Sequence, residues 1–113
     1  MKWSIDFYKT GDNYSPVEEW LLTIPKSALA KVTRNMQLLR EFNLALKEPY
    51  IKPLGDKLYE IRAKDPKGIY RVIYFAYTGK RFIMLHGFTK KTQKTPKKEI
   101  KLAKQRMEEI TNG

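Results

Sequence analysis

Two arginines and a cluster of lysines carry the chemistry open to this chain. Near its end the sequence reads HGFTKKTQKTPKKE over 86–99. That sets Lys90, Lys91, Lys94, Lys97 and Lys98 within nine positions against the single carboxylate of Glu99. Upstream, Arg62 lies in KLYEIRA and Arg71 in IYRVIYFAY, both apolar runs of strand character. A strand interior is an expensive place for arginine unless that face is open or an anion meets it. A guanidinium grips phosphate through two parallel hydrogen bonds and keeps its proton at neutral pH, so Arg62 and Arg71 are suited to positioning and stabilising. A lysine crowded by like charges gives up its proton more readily, which suits Lys90 or Lys91 to proton transfer. Together these residue types fit scission of a phosphodiester. Negative charge built up on pentavalent phosphorus is met by fixed cations, usually a large part of such catalysis.

Composition removes most rivals. The chain of 113 residues has no cysteine and one histidine, which excludes thiol catalysis, disulfides and cysteine- or histidine-rich metal sites. Residues 1–60 carry a net charge of +1 and residues 61–113 a net of +10, so the basic excess belongs to one half. Such concentration points to a polyanionic partner, nucleic acid before an acidic protein or a merely solvated face. Asp and Glu are sparse in that half, so no carboxylate-held magnesium site is visible and no cofactor is expected. Cleavage without metal favours RNA, whose 2′-OH is a built-in nucleophile. No apolar run approaches the roughly 20 residues that span a bilayer. The opening MKWSIDFYK lacks the apolar stretch of a leader, so the expectation is a soluble cytoplasmic protein with no membrane partner.

Each candidate has a bland reading beside the functional one. Arg71 either pairs with Glu60 or Asp65, or joins Arg62 across one hairpin on an open sheet face. The lysines either form a solvated surface or hold an anion. A lone histidine late in a strand is more often half-buried and structural than catalytic. His86 therefore stands with Lys64, Lys94, Lys97 and Lys98 as a candidate RNA contact. Any one of Tyr59, Tyr70, Tyr74 or Tyr77 could stack on a base.

The elements that must position these groups follow from periodicity. WSIDFYK alternates and reads as a first strand. In SPVEEWLL, Ser15, Pro16 and Glu18 form a helix start with a capping box. Pro25 interrupts that helix and opens a second, whose Leu29, Val32, Met36 and Leu39 make one apolar stripe. ALKEPYIKPLGD, with two prolines and a glycine, reads as a connection. Three aromatic and β-branched runs follow, separated by KDPKG and TG, as an antiparallel three-stranded meander. Thr95-Pro96 caps a last helix with Ile100, Ala103, Met107 and Ile110 on one face. This is an α+β domain over 1–113: a strand, a two-helix hairpin, the meander and a C-terminal helix, with the helices expected on one sheet face.

These residues resemble the RelE/ParE superfamily of toxins from type II toxin–antitoxin systems, nearest its phage-derived HigB-like branch. L-Y-E-I-R at 58–62, Y-R-V-I-Y at 70–74 and H-G-F-T-K-K-T-Q-K-T-P at 86–96 carry the likeness, the last being the most distinctive. The resemblance implies a microbial-RNase-like fold and metal-independent, ribosome-dependent cleavage of mRNA, with contacts to ribosomal RNA. It also implies a HigA-like helix-turn-helix antitoxin, through which alone the protein would meet operator DNA. Arg62, Arg71 and the pair Lys90 and Lys91 fall at the family's basic catalytic positions. Many RelE-type members place a tyrosine shortly after that pair. Here the positions read Thr92-Gln93-Lys94-Thr95, so the general base stays open. Rival readings are ParE-like inhibition of DNA gyrase and a non-enzymatic basic domain that binds RNA.

Overall fold

The computed structural model describes residues 2–112. Strand β1 (Ser4–Phe7) is followed by helices α1 (Pro16–Leu21) and α2 (Lys26–Phe42), the latter ending in a 3₁₀ turn at Asn43–Ala45. Strands β2 (Ile51–Gly55), β3 (Leu58–Asp65), β4 (Gly68–Tyr77) and β5 (Arg81–Lys90) come next, and helix α3 (Lys97–Asn112) closes the chain. The α+β expectation holds, with the meander on β3, β4 and β5. Helix α1 starts where the sequence predicts: Ser15 Oγ accepts from the Glu18 amide at 3.3 Å, and Pro16 needs no amide partner. Pro25 sits at the start of α2, whose Val32, Met36 and Leu39 are buried.

Two expectations are corrected. The segment taken for a connection contains β2, which pairs antiparallel with β3 and extends the sheet to five strands in the order β1-β5-β4-β3-β2. Pro53 is tolerated because β2 is an edge strand and the pairing shifts between Pro53 and Gly55. The other edge is β1, which lies parallel to β5. Nor do the helices share a face. Helices α1 and α2 bury Val17, Ala28, Val32 and Met36 against Ile61, Val72, Tyr74 and Met84. Helix α3 packs Ala103 and Met107 on the opposite face against Leu58, Ile73, Phe75 and Leu85. A central strand covered on both sides has no polar face, which is why β4 is buried from Gly68 to Phe75.

One irregularity in β5 re-aims its end. The β4–β5 pairing shifts between Ile73 and Tyr74, which face His86 and Met84, leaving Leu85 as the extra residue of a bulge. Strict alternation would put His86 beside Phe82 and Met84 on the α2 side. The bulge turns it, with Phe88, toward α3, where the two rings stack at 5.3 Å. The next residue, Gly87, lies under the indole of Trp20, and a Cβ there would run into that ring.

Gly87→Ala therefore pushes α1 off the sheet. It should cost about 1–3 kcal/mol, the usual range for overpacking, measured by urea unfolding. A Trp20→Ala background should remove most of that penalty, and equal costs in the two backgrounds would disprove the contact.

Candidate functional site

Arg62 and Arg71 are direct partners in the β3–β4 register. The turn fixes this: Asp65 Oδ1 accepts from the amides of Lys67 and Gly68, at 2.8 and 3.2 Å, closing the hairpin symmetrically about 66 and 67. Glu60, two residues before Arg62, shares their face by strand alternation. Its carboxylate lies 3.5 Å from the Nε of Arg62 and 3.5 Å from that of Arg71. Two like charges set opposite each other destabilise a ladder, and the carboxylate offsets them.

This face is closed, which corrects the expectation of an open guanidinium surface. Arg71 and Glu60 are 0% exposed, and the strap that joins β5 to α3 passes over them. Arg71 donates to the Thr92 carbonyl through Nη2 and to Thr95 Oγ1 through Nη1 at 3.1 Å. Arg62, partly open, donates to the Gln93 carbonyl at 2.6 Å. The Thr95 hydroxyl in turn donates to Glu60 Oε2 at 2.6 Å. Thr95 is thus not the helix cap its position suggested; its hydroxyl is committed to the sheet. The Nε atoms of Arg62 and Arg71 are buried without a hydrogen-bond partner, held by the charge of Glu60 alone. Burial pulls the Arg71 guanidinium below its usual pKa, with Glu60 partly offsetting that and Arg62 adding to it. Of the two pairings open to Arg71, the structure takes Glu60; Asp65 instead accepts from Tyr70 at 3.0 Å.

The strap carries the lysines. Lys90 ends β5 opposite Ile69, and Lys64 faces Ile69 from the other side, so the two cations flank one strand end. Lys91 and Lys94 stand exposed on the strap, and Lys97 and Lys98 are the exposed first residues of α3, as predicted. Lys31 of α2 reaches the same end, its Nζ donating to the Lys64 carbonyl at 2.9 Å. His86 stands apart from the lysines. Its Nε2 lies 2.7 Å from Glu99 Oε1, tying β5 to the first turn of α3. Burial lowers the imidazole pKa from its ordinary 6.5, Glu99 works against that, and Arg106 reinforces it. His86 is thus a neutral donor to Glu99, and its assignment as an RNA contact gains no open face.

Sequence reasoning offered Glu60 as one of two partners for Arg71 alone, not for both arginines, and missed Thr95 as a member of this cluster. Glu60 was legible, since alternation and the DPKG turn together put it beside both arginines. Thr95 had no local signal, because its partners lie 24 and 35 residues away. Among the described residues no helix is long and apolar enough to cross a membrane.

Residues 19–108 match the model of a family described as phage derived protein Gp49-like (DUF891), a span from α1 into α3 that contains every residue of the cluster and the strap. No curated protein matches the chain.

Removing one partner of the buried cluster strands the others. Arg71→Ala should cost about 3–5 kcal/mol in urea unfolding, as breaking buried ion pairs does. The double change Glu60→Leu with Arg71→Met should cost less than Arg71→Ala alone; a greater loss would contradict this account. A second test concerns pH. His86 is the only histidine, and its pKa is lower folded than unfolded. Between those two values the unfolded chain holds more protons, so stability falls as pH drops below about 6.5. His86→Gln should flatten unfolding free energy between pH 7 and 5, and an unaltered slope would remove His86 as its source.

Proposed function

The chain belongs to the Gp49-like family of phage-derived proteins, and from that premise we propose that it is the toxin of a type II toxin–antitoxin system, cleaving mRNA on the ribosome. One observation carries this reading. Six lysines, Lys64, Lys90, Lys91, Lys94, Lys97 and Lys98, gather at one end of the sheet, on and beside a strap pinned by the buried cluster of Glu60, Arg71 and Thr95. Cations held in place before the substrate arrives lose no ordering entropy when it binds and need no reorganisation as charge develops.

In the proposed reaction the 2′-OH of the message attacks the adjacent phosphorus and the bond to the 5′-oxygen breaks. The 2′-proton leaves to a base, and a proton reaches the departing 5′-oxygen. The products are a 2′,3′-cyclic phosphate and a 5′-OH end. Arg62, the partly open guanidinium, and Lys90 and Lys91 are the groups proposed to meet the phosphorane, with the lysines as proton carriers. Arg71 is assigned a positioning role, since its guanidinium is spent on the strap and Glu60. Lys64, Lys94, Lys97 and Lys98 are proposed to hold RNA or ribosome. The carboxylates nearby are already engaged, Glu60 by arginines, Asp65 by its turn and Glu99 by His86, which supports a reaction that needs no metal. The reading includes a cytoplasmic setting and a helix-turn-helix antitoxin as partner.

Purified protein, ribosomes and a defined mRNA test the reading directly. Cleavage with 5′-OH ends, undiminished by EDTA, is expected. Inhibition of gyrase supercoiling with the message intact, or binding without product, would overturn it. Neutralising Lys94, Lys97 and Lys98 together to glutamine should leave thermal stability unchanged or slightly raised. The same variant should flatten the log–log salt dependence of RNA binding by about two units, at roughly 0.7 per lost contact with single-stranded RNA. An unchanged slope would make these lysines a solvated surface.

A further inference from the structure

The two edges of the sheet are built differently. Pro53 and the register shift interrupt the free side of β2, a common guard against stray pairing. Strand β1, with the sequence SIDF, has no proline, and its pairing with β5 runs without a shift. Its inner side is fixed by β5. The Ser4 amide donates to the Lys80 carbonyl at 3.0 Å, and the Tyr8 amide to the Met84 carbonyl at 2.9 Å. Backbone groups alternate in direction along a strand, so Ser4, Asp6 and Tyr8 turn theirs to β5 while Ile5 and Phe7 point theirs away. The outer side of β1 thus offers two amides and two carbonyls to a further strand.

A hollow lies on each side of that edge. One, of about 560 Å³, is lined by the whole run 5–9 and by Tyr77, Ile83 and Ile110, so the strand itself is its wall. It opens on the α3 side, where Tyr8, Tyr77, Ile83 and Ile110 join the core. The other, of about 570 Å³, is lined by Phe7, Tyr14, Leu21 and Leu22 together with Glu18 and Glu19. It opens on the side of α1 and α2, the core on which Phe7 and Leu21 pack. Leu22 is 76% exposed there and Tyr14 48%. The hollows share Phe7 and Glu18, so they meet at the edge. A strand added to β1 would send successive side chains to opposite faces, and each face has a place to receive them. In such addition the main-chain bonds supply affinity and the alternate pockets supply specificity.

Charge on the walls themselves narrows the occupant. Glu18 and Glu19 line the second hollow, and no cation stands among its walls. In the first, Asp6 and Glu18 face Lys9 and Arg81. Arg81 is committed to its own turn, since its Nε donates to the Thr78 carbonyl at 2.8 Å and its guanidinium lies 4.9 Å from the Tyr77 ring. Asp6, Glu18 and Glu19 enter no ion pair among the described residues. The lysine end is remote: β1 reaches only Met84 of β5, and Lys90 lies six residues further, roughly 20 Å along the strand. That exceeds the Debye length of about 8 Å at physiological ionic strength, so the local carboxylates set the sign. They repel nucleic acid. They also oppose a second copy, which would bring its own Asp6, Glu18 and Glu19 to a symmetric pairing. A lysine or arginine suits the second hollow, its stem along Tyr14, Leu21 and Leu22 and its charge at Glu18 and Glu19. An aliphatic side chain suits Tyr77, Ile83 and Ile110 on the other face.

We propose that the free edge of β1 takes up an extended cationic segment of a partner protein as a sixth strand, with basic side chains over Glu18 and Glu19 and aliphatic ones over Ile83 and Ile110. The inference does not rest on the RNA-cleavage reading. The probe is a synthetic peptide of about eight residues, within the usual length of a strand, alternating arginine and valine. It is titrated into the isotope-labelled full chain at physiological salt and followed by amide NMR. Saturable shifts are expected at Ile5, Phe7, Glu19 and Leu22, with slower hydrogen exchange at the Ile5 and Phe7 amides. Two further peptides carry N-methyl groups on alternate backbone nitrogens, one set facing β1 and the other facing solvent. The first should bind about tenfold more weakly or worse, through its lost hydrogen bonds, and the second about as well as the parent. Glu18→Gln with Glu19→Gln should weaken the parent several-fold, and Leu22→Ser, at an exposed residue, should do the same with an unchanged melting curve. Four results would each overturn the proposal: no saturable shifts at the β1 edge, equal binding by the two N-methylated peptides, equal binding by a peptide with glutamate in place of arginine, or protection of Ile5 and Phe7 that rises with protein concentration alone and so marks a second copy. Message cleavage is assayed without the peptide, so the fate of that reading is separate.

Discussion

A carboxylate buried on a β-strand has to be neutralised where it lies, and at Glu60 this is done by two guanidiniums that one hairpin sets opposite each other. The arrangement is self-sealing. Two arginines bring more N–H groups than one carboxylate can accept, so the surplus donors need oxygens from elsewhere. They find them in the carbonyls of Thr92 and Gln93 and in the hydroxyl of Thr95. The strap is drawn across the sheet to complete the shell, and the lysines on it have their places fixed as a result. The start of α3 is fixed with them, since Thr95 ends the strap two residues before Lys97.

The same logic explains why the two cation types divide the work. Arginine suits the interior because its planar fork satisfies several fixed oxygens at once, and because it stays charged under desolvation. Lysine suits the strap because its compact charge stays hydrated on a flexible stem and can turn to follow a backbone of phosphates. Exchanging the two at Arg71 would leave an ammonium facing oxygens arrayed for a fork. Nearby, the Phe88 ring lies 5.9 Å from the Arg71 guanidinium carbon, a contact that also favours arginine.

What the sequence made legible was the local part of this design. Ser15, Pro16 and Pro25 announced helix boundaries because caps act over three residues, and the turn DPKG fixed the hairpin register that brings Arg62 to Arg71. Non-local decisions were hidden. Strand β2 was obscured by Pro53, which reads as a breaker until the segment is known to lie at an edge. The bulge at Leu85 reverses the faces of everything after it in β5, and no residue type there signals it. Helix α3 crossing to the far face follows from that reversal together with the strap, so alternation alone could not foresee it. Thr95 shows the competition most plainly. A threonine before a proline at a helix start offers a good cap, yet a buried carboxylate and guanidinium make the stronger claim on its hydroxyl.

Helix α3 then begins under an electrostatic load that a single carboxylate relieves only in part. Its first residues are Lys97 and Lys98, set against the positive end of the helix dipole, where each costs roughly 0.3–1 kcal/mol at low salt. Glu99 is the only acid of that first turn, and its Oε1 is held by His86 at 2.7 Å. The one group able to soften the charge has been drawn inward to fasten α3 to β5. Outside, Lys94 extends the same charge along a strap that cannot swing away, because its carbonyls hold the arginines beneath. The free protein therefore keeps its cations close together at a standing cost, and an anion bound at the start of α3 would turn that cost into affinity. A buried ion cluster, of little net worth to stability by itself, thereby has its effect at the surface, where it keeps like charges together that would otherwise spread apart.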